Sequence, residues 1–496
     1  MLFNSLQFLV FFPVVTLLYF LIPHAWRWLH LLIASCIFYM YFIPVYILIL
    51  IFTIIIDYIA GIMIENARGP KRKLFLVMSI VANVGVLALF KYYNFFTENI
   101  NELLHSSGWT TRSVPLLNII LPIGLSFHTF QAMSYTIEVY RGNHPAERHF
   151  GIYALYVMFY PQLVAGPIER PQNVLHQFHE KKTFDYDNVT DGLKQMMWGM
   201  FKKVVIADRL VKFTDPVFNH PHDYSPIVLL LAAIFFSFQI FCDFSGYSDI
   251  ALGSAKVMGF KLMRNFNKPY HAKSISEFWG RWHISLSTWF RDYLYISLGG
   301  NRVSVPRWYF NLFFVFLVSG FWHGANWTFI VWGALHGFYL IFAIISGKLR
   351  ANMNKWTGLT RIPWLYTFTQ ILITYSLVTF AWIFFRANNI KDAFYIAGRI
   401  PAALGDIGKL ILHGQLSPNA IFNALGTVPV YQSDVILSFA AIFFLEAVHL
   451  VQRKHNILAL VKQRPLYQRW TLYYLMIMLI IFFGVYQNRQ FIYFQF

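Results

Sequence analysis

Apolar runs of about twenty residues recur from Met1 to Tyr486, and each is long enough to cross a bilayer. They lie near Met1–Leu21, Trp28–Phe42, Val45–Ile64, Leu74–Phe90, Val114–Tyr135, Ile152–Pro167, Leu193–Ala207 and Ile227–Val257. Later ones lie near Asn311–Gly324, Trp327–Ser346, Trp364–Phe385, Val435–Val451 and Trp470–Tyr486. Several carry Pro, Gly or polar residues, so re-entrant or interfacial pieces are expected among them. Only 12% of residues are charged, against about 25% in a soluble domain. With 57% hydrophobic residues, the chain is also the opposite of a disordered one. The reading is an all-α polytopic membrane protein. The first run lacks a basic leader and a small-residue cleavage site, so it reads as a retained span.

The charge balance is +18, from 40 Lys and Arg against 22 Asp and Glu. In a soluble protein this would suggest nucleic acid. Here the bases read as cytoplasmic loop anchors, and no nucleic-acid partner is expected. Arg68, Lys71, Arg72 and Lys73 follow the Val45–Ile64 run. Lys348, Arg350, Lys355 and Arg361 follow Trp327–Ser346, and Arg453, Lys454, Lys462, Arg464 and Arg469 precede the last run. All three loops are placed inside, which puts both termini outside. Residues 258–310 then form a cytoplasmic interfacial segment and 386–434 an external one, within a single membrane domain over 1–496. Cys36 and Cys242 sit in apolar runs and suggest neither a disulfide nor zinc; Cys242 reads as a small buried hydrophobe rather than a thiol nucleophile. No metal ligands are assigned.

Polar residues inside apolar runs are costly and therefore informative. Asp57 reads as an interhelical hydrogen-bonding group. Gln239, Asp243 and Gly246 follow an i, i+4, i+7 spacing that places them on one helix face, with Asp249 beyond. Either polar packing between helices or a role for Asp243 and Asp249 in orienting a catalytic group or lining a channel fits. In the cytoplasmic segment, Ser274 or Ser276 can cap a helix carrying a Glu277–Arg281 pair. His283, Ser287 and Arg291 follow at four-residue steps and are expected on one face of a surface helix. That face is either an amphipathic anchor or an anion site whose bases meet phosphates. His323 and His336 lie within apolar segments beside Trp322, Trp327 and Trp332. A neutral imidazole in a water-poor pocket suits general-base work. Their spacing of thirteen puts them across a turn near Ala325–Asn326, or pointing to different places.

These strings together resemble the membrane-bound O-acyltransferase family. The branch is the one that serves alginate and peptidoglycan O-acetylation and teichoic-acid D-alanylation in bacteria. The carriers are Leu163-Val-Ala-Gly-Pro-Ile-Glu-Arg170, Phe241-Cys-Asp-Phe-Ser-Gly-Tyr-Ser-Asp249, Phe278-Trp-Gly-Arg-Trp-His-Ile-Ser-Leu-Ser287, Trp289-Phe-Arg-Asp-Tyr293, Gly299-Gly-Asn-Arg302 and Ser319-Gly-Phe-Trp-His-Gly324. The resemblance implies a ring of about 11–13 tilted transmembrane and re-entrant helices around a central tunnel, thinned in the middle. It implies His323 as the catalytic histidine and His283 as the second, cytoplasmic-side one. Asp243, Asp249, Trp322, Ser287 and His336 would support or line the tunnel. Arg281, Arg291, Lys273 and Arg302, with Lys268, would receive the donor.

No bound cofactor is expected. The donor substrate would be acetyl-CoA or an acyl-carrier thioester in the cytoplasm. The acceptor would be a hydroxyl of an extracytoplasmic polysaccharide, or of an esterase-like periplasmic partner that completes the transfer. The setting would be the bacterial cytoplasmic (inner) membrane. The competing reading is a transporter or channel with an Asp/His relay through Asp57, Asp243 and Asp249; visible two-fold repeats, which would favour it, are missing. A third, a scaffold for envelope proteins, would make both His323 and His283 replaceable.

Overall fold

The computed structural model describes all residues except 109–112, 119–120, 165, 415–425, 487–490 and 493–496. Parts of three sequence features therefore lie outside the described residues: 119–120 in the Val114–Tyr135 run, Ala165 in the Leu163–Arg170 string, and 415–425 in the 386–434 segment. Among the described residues every regular element is helical. Seven helical stretches combine the length and apolarity of a membrane span: Pro44–Asn66, Pro70–Ser106, Pro226–Val257, Trp327–Ile345, Pro363–Arg386, Gln432–Val451 and Leu466–Phe483. Large apolar side chains face outward along them, such as Phe443 at 77% and Phe482 at 74% exposure. Outside a bilayer such rows would be untenable.

The chain divides into two compact units. One holds Met1–Trp198 with Tyr247–Arg264; the other holds Gly199–Gly246 with Asn265–Ile492. In the first, Gly69 adopts φ 60° and Pro70 starts the next helix, so the chain turns sharply between two spans. Asp57 is fully buried and accepts hydrogen bonds from Ser79 Oγ at 2.6 Å and Asn83 Nδ2 at 2.9 Å. Ser79 also donates to Thr136 at 3.1 Å. One carboxylate thus ties Ile47–Asn66 to Pro70–Leu87 and, through Ser79, to Leu125–Arg141, as its interhelical reading expects. A Cβ on Gly61 would lie 2.6 Å from the Tyr135 ring, so glycine permits that close crossing.

Two apolar runs of this unit are not continuous helices. Helix Leu125–Arg141 starts only after Gly124, whose φ of 78° stops the Val114–Tyr135 run short. The Ile152–Pro167 run breaks at Phe159 (φ −52°, ψ 113°) into Phe150–Met158 and Tyr160–Leu163, both buried. Pro161, in the first turn of the second piece, removes a backbone donor there.

In the second unit, helices Val305–His323 and Trp327–Ile345 form a tight antiparallel pair. A Cβ on Gly320 would meet Phe329 O at 2.3 Å, and one on Gly333 would meet Phe316 O at 2.4 Å. Hydrogen at these two positions lets the backbones touch, the usual role of small residues between membrane helices. Three wide π-helical turns interrupt the α-helices of the chain, at Ala88–Tyr92, Phe201–Ala207 and Phe290–Tyr295. Residues 258–310 hold only short helices, and helix Ile390–Leu412 opens the 386–434 segment with Ala393, Ile396 and Ala403 buried.

Candidate active site

The residues expected to carry chemistry in the second unit arrive from three elements. The first is the Ser274–Tyr295 stretch. Ser274 Oγ caps a short helix by accepting from Glu277 N at 3.1 Å, and Glu277 pairs with Arg281 at 2.5 Å. The single surface helix expected from the four-residue spacing does not continue past this point. Helix Ile275–Trp279 ends at Gly280, and Ile284–Trp289 starts after His283, which sits at φ 42°, ψ 56°. A non-glycine residue in this left-handed region costs roughly 1–2 kcal/mol. The kink is held from outside: Asn267 N bonds Arg281 O at 2.9 Å, Ile284 N bonds Asn265 O at 2.9 Å, and Ser285 Oγ bonds Asn265 Oδ1 at 2.6 Å.

The kink turns His283 inward. It is fully buried with the Phe244 ring edge-on at 4.6 Å, instead of sharing an exposed face with Arg291. Burial pushes its imidazole down to about 3, so it is neutral at physiological pH. Ser287 donates to Trp282 O at 3.1 Å.

The second element is the helix pair. His323 is the last residue of its helix; Gly324 leaves the helix, and Asn326 caps the next one by accepting from Thr328 N at 3.0 Å. His323 is 4% exposed, with Trp322, Trp332 and Phe385 rings centred 4.9, 5.0 and 5.3 Å from its own. His336 is fully buried on the other side of the turn, its ring also 5.0 Å from Trp332. Its Nδ1 accepts from Trp279 Nε1 at 3.3 Å, which assigns the proton of a neutral ring to Nε2. So the two histidines do lie across the turn, and they meet the same indole. Trp332 stacks on Trp382 at 5.7 Å, and Trp382 packs on Trp282, the neighbour of His283, at 5.0 Å. A chain of buried rings thus joins the surroundings of both key histidines.

A cavity of about 230 Å³ opens beside this wall. Its lining includes Trp279, Phe290, Val315 and Phe316, with Ser287, Arg291 and Tyr295 as polar groups. It reaches Ser319, one helical turn before His323. Phe290 also contacts the Trp322 ring at 6.5 Å. Arg291 bonds Asp292 at 2.7 Å with 60% of its side chain exposed. Of the other expected donor-binding bases, Lys273 and Arg302 are exposed and outside the cavity lining, and Arg281 also reaches Lys268 O at 3.4 Å.

The third element is helix Pro226–Val257. Gln239, Asp243 and Gly246 do share a face, and it meets the stretch from Gly199 to Thr214. Thr214 Oγ1 donates to Gln239 Oε1 at 2.5 Å, and a Cβ on Gly246 would lie 2.8 Å from Gly199 O. Lys203, 4% exposed, bridges Asp243 at 2.6 Å and Asp208 at 2.9 Å. Asp243 also accepts from Ile492 N at 2.8 Å. Asp249, in the first unit, accepts from Gln195 Nε2 at 3.0 Å. Cys242 is fully buried.

Sequence reasoning missed Trp382 and Phe385, which look like any aromatics in an apolar run. It also missed the Lys203 bridge, although two adjacent lysines inside the apolar stretch Met196–Ala207 are a readable signal.

Comparison with known proteins fits this geometry. Residues 109–385 match the model of the membrane-bound O-acyltransferase family. The chain is 41% identical to a probable alginate O-acetylase from Pseudomonas aeruginosa, over 79% of its own length and 73% of the relative's. It is 37% identical to a peptidoglycan O-acetyltransferase from Helicobacter pylori, covering 79% and 78% of the two chains. A teichoic acid D-alanyltransferase from Bacillus subtilis is 28% identical over 55% of this chain and 71% of its own. The chain therefore belongs to the membrane-bound O-acyltransferase family, as a multi-pass membrane enzyme of O-acyl transfer.

Proposed function

We propose that this protein takes an acetyl group from a cytoplasmic thioester, acetyl-CoA or an acyl-carrier thioester, and delivers it to a hydroxyl outside. The acceptor is an extracytoplasmic polysaccharide, or a partner protein that completes the transfer. We place the enzyme in the bacterial cytoplasmic membrane with both termini outside, acting as one functional domain. The names of its relatives support O-acetylation of surface polymers.

The observation that carries the reading is the position of His323: at a helix end, walled by three aromatic rings, with an apolar cavity reaching the turn before it. His323 takes the proton of the acceptor hydroxyl as its oxygen attacks the thioester carbonyl. The C–S bond breaks, and the thiolate leaves with the proton that His323 returns. The cavity suits a short acyl chain, and the aromatic wall keeps water from the thioester. Arg291 stands at the polar part of the cavity, where Arg281, Lys273 and Arg302 add positive charge for an anionic donor. His283, neutral and held in a strained backbone, acts in positioning. Trp322, Ser287 and His336 shape the lining, and Asp243 and Asp249 brace the helix behind it. Asp57 and Asp243 already spend their lone pairs on fixed partners, which suits bracing better than proton conduction.

The test is acetyl transfer from labelled acetyl-CoA in proteoliposomes by a folded His323→Ala variant. A loss of about 10²–10⁴ is expected for removal of a general base. Near-normal turnover would sink the role.

A further inference from the structure

Away from the acyl-transfer residues, one turn and one helix bring three metal-ligating side chains together. Glu446 and His449 are three apart on helix Gln432–Val451 and so project from one face. This Glu-x-x-His spacing recurs in metal-binding helical bundles. His271 comes from the turn Pro269–His271, 175 positions earlier. One ligand atom from each lies within 4.8 Å of the other two. The Glu446 carboxylate is 2.5 Å from His271 Nε2 and 3.2 Å from His449 Nδ1. Both imidazoles are more than nine-tenths buried, and their planes stand at 87°. The two rings thus approach the carboxylate from different directions. The Phe241 ring closes one side, 5.7 Å from His449.

We propose that His271, Glu446 and His449 form a binding site for a zinc-type divalent ion. Two imidazoles and a carboxylate are a donor set that zinc accepts, with water in the fourth position. Ligand bonds of about 2.0–2.1 Å set tetrahedral donors roughly 3.3 Å apart. The His449–Glu446 separation already matches, and the His271 ring has to swing back by less than 1 Å. Lys202 Nζ, 5.9 Å from the Phe241 ring centre, adds positive charge nearby. That charge and the nitrogen donors disfavour Mg²⁺ and Ca²⁺, which bind through oxygen. The ion would staple the turn that leads into Lys273 and Arg281 to the end of helix Gln432–Val451. Its role is structural, because none of the proposed acyl-transfer residues belongs to it.

The full chain, purified in detergent without an affinity tag and stripped with a chelator, is dialysed against Zn²⁺ alone and, separately, Co²⁺ alone. One ion per chain is expected, bound at least tenfold more weakly by His449→Ala and Glu446→Gln. Bound Co²⁺ should show the intense visible bands of tetrahedral nitrogen and oxygen ligation. Equal zinc binding by wild type and both variants overturns the proposal. A weak octahedral Co²⁺ spectrum from wild type overturns it as well, and needs no variant to fold. Acetyl transfer is not the readout, so failure here and failure of the acyl-transfer reading are distinguishable.

Discussion

Adding one methyl group at Gly320 is the sharpest test of how His323 is placed. A Cβ there would stand 2.3 Å from Phe329 O, whereas ordinary contact starts at 3.4 Å. The obstruction is backbone, so no side chain can rotate away. The facing Gly333 Cα, at 3.1 Å, blocks sideways relief. The two helices must therefore part by about 1 Å at a point three residues before His323. A misplacement of that size costs on the order of 10² in rate when reacting groups must be aligned. Gly320→Ala is expected to lower acetyl transfer about a hundredfold in proteoliposomes while the protein still elutes as a folded monodisperse species. Gly398→Ala is the control: nothing lies within 4 Å of its Cβ position, and alanine favours the helix by up to about 1 kcal/mol. A folded Gly320→Ala enzyme with turnover within about threefold of wild type would refute the claim that this contact sets the site.

Three further outcomes follow from the same geometry. Lys203→Met leaves Asp208 and Asp243 buried without their cation, and should destabilise by about 3–5 kcal/mol in detergent melting; a loss under about 1 kcal/mol contradicts the bridge. His283 is held neutral when folded but protonates near 6.5 when unfolded, so the unfolded chain binds more protons between about 3 and 6.5. Stability should therefore fall as pH drops below 6.5, by on the order of 2 kcal/mol at pH 5, and His283→Gln should flatten that slope; unchanged melting curves would argue against it. Arg291→Gln should raise the KM for acetyl-CoA about tenfold with kcat within twofold, since it removes one charge-assisted contact to the donor. Equal loss in kcat would move Arg291 into the chemical step.

Much of the site is written locally. The Trp-His-Gly string, the Ser274 cap, the Glu277–Arg281 pair and the shared face of Gln239, Asp243 and Gly246 depend on neighbours within a few residues. What stayed hidden depends on tertiary contacts. The Glu277–Arg281 spacing promises a helix running on to Arg291, yet Asn265 and Asn267 capture the backbone around His283 and bend it. Nothing near Trp382 announces that it bridges Trp332 and Trp282. His271 meets Glu446 only because the chain returns after 175 positions. Hydropathy likewise overcounts spans, because a buried broken segment such as Phe150–Leu163 is as apolar as a lipid-facing helix.

The wide turn at Phe201–Ala207 makes this part of the chain sensitive to length as well as to composition. In an α-helix each residue advances the surface by about 100°. A π turn holds an extra residue in place, and here Lys202 and Lys203 are consecutive yet both buried. Deleting one residue from that turn would let it relax to α-helix and rotate everything downstream by about 100°. Asp208 and Thr214 would then swing away from Lys203 and Gln239 together. A single-codon deletion at this turn should thus be worse than most substitutions in it, whereas the same lesion in an exposed loop would pass unnoticed.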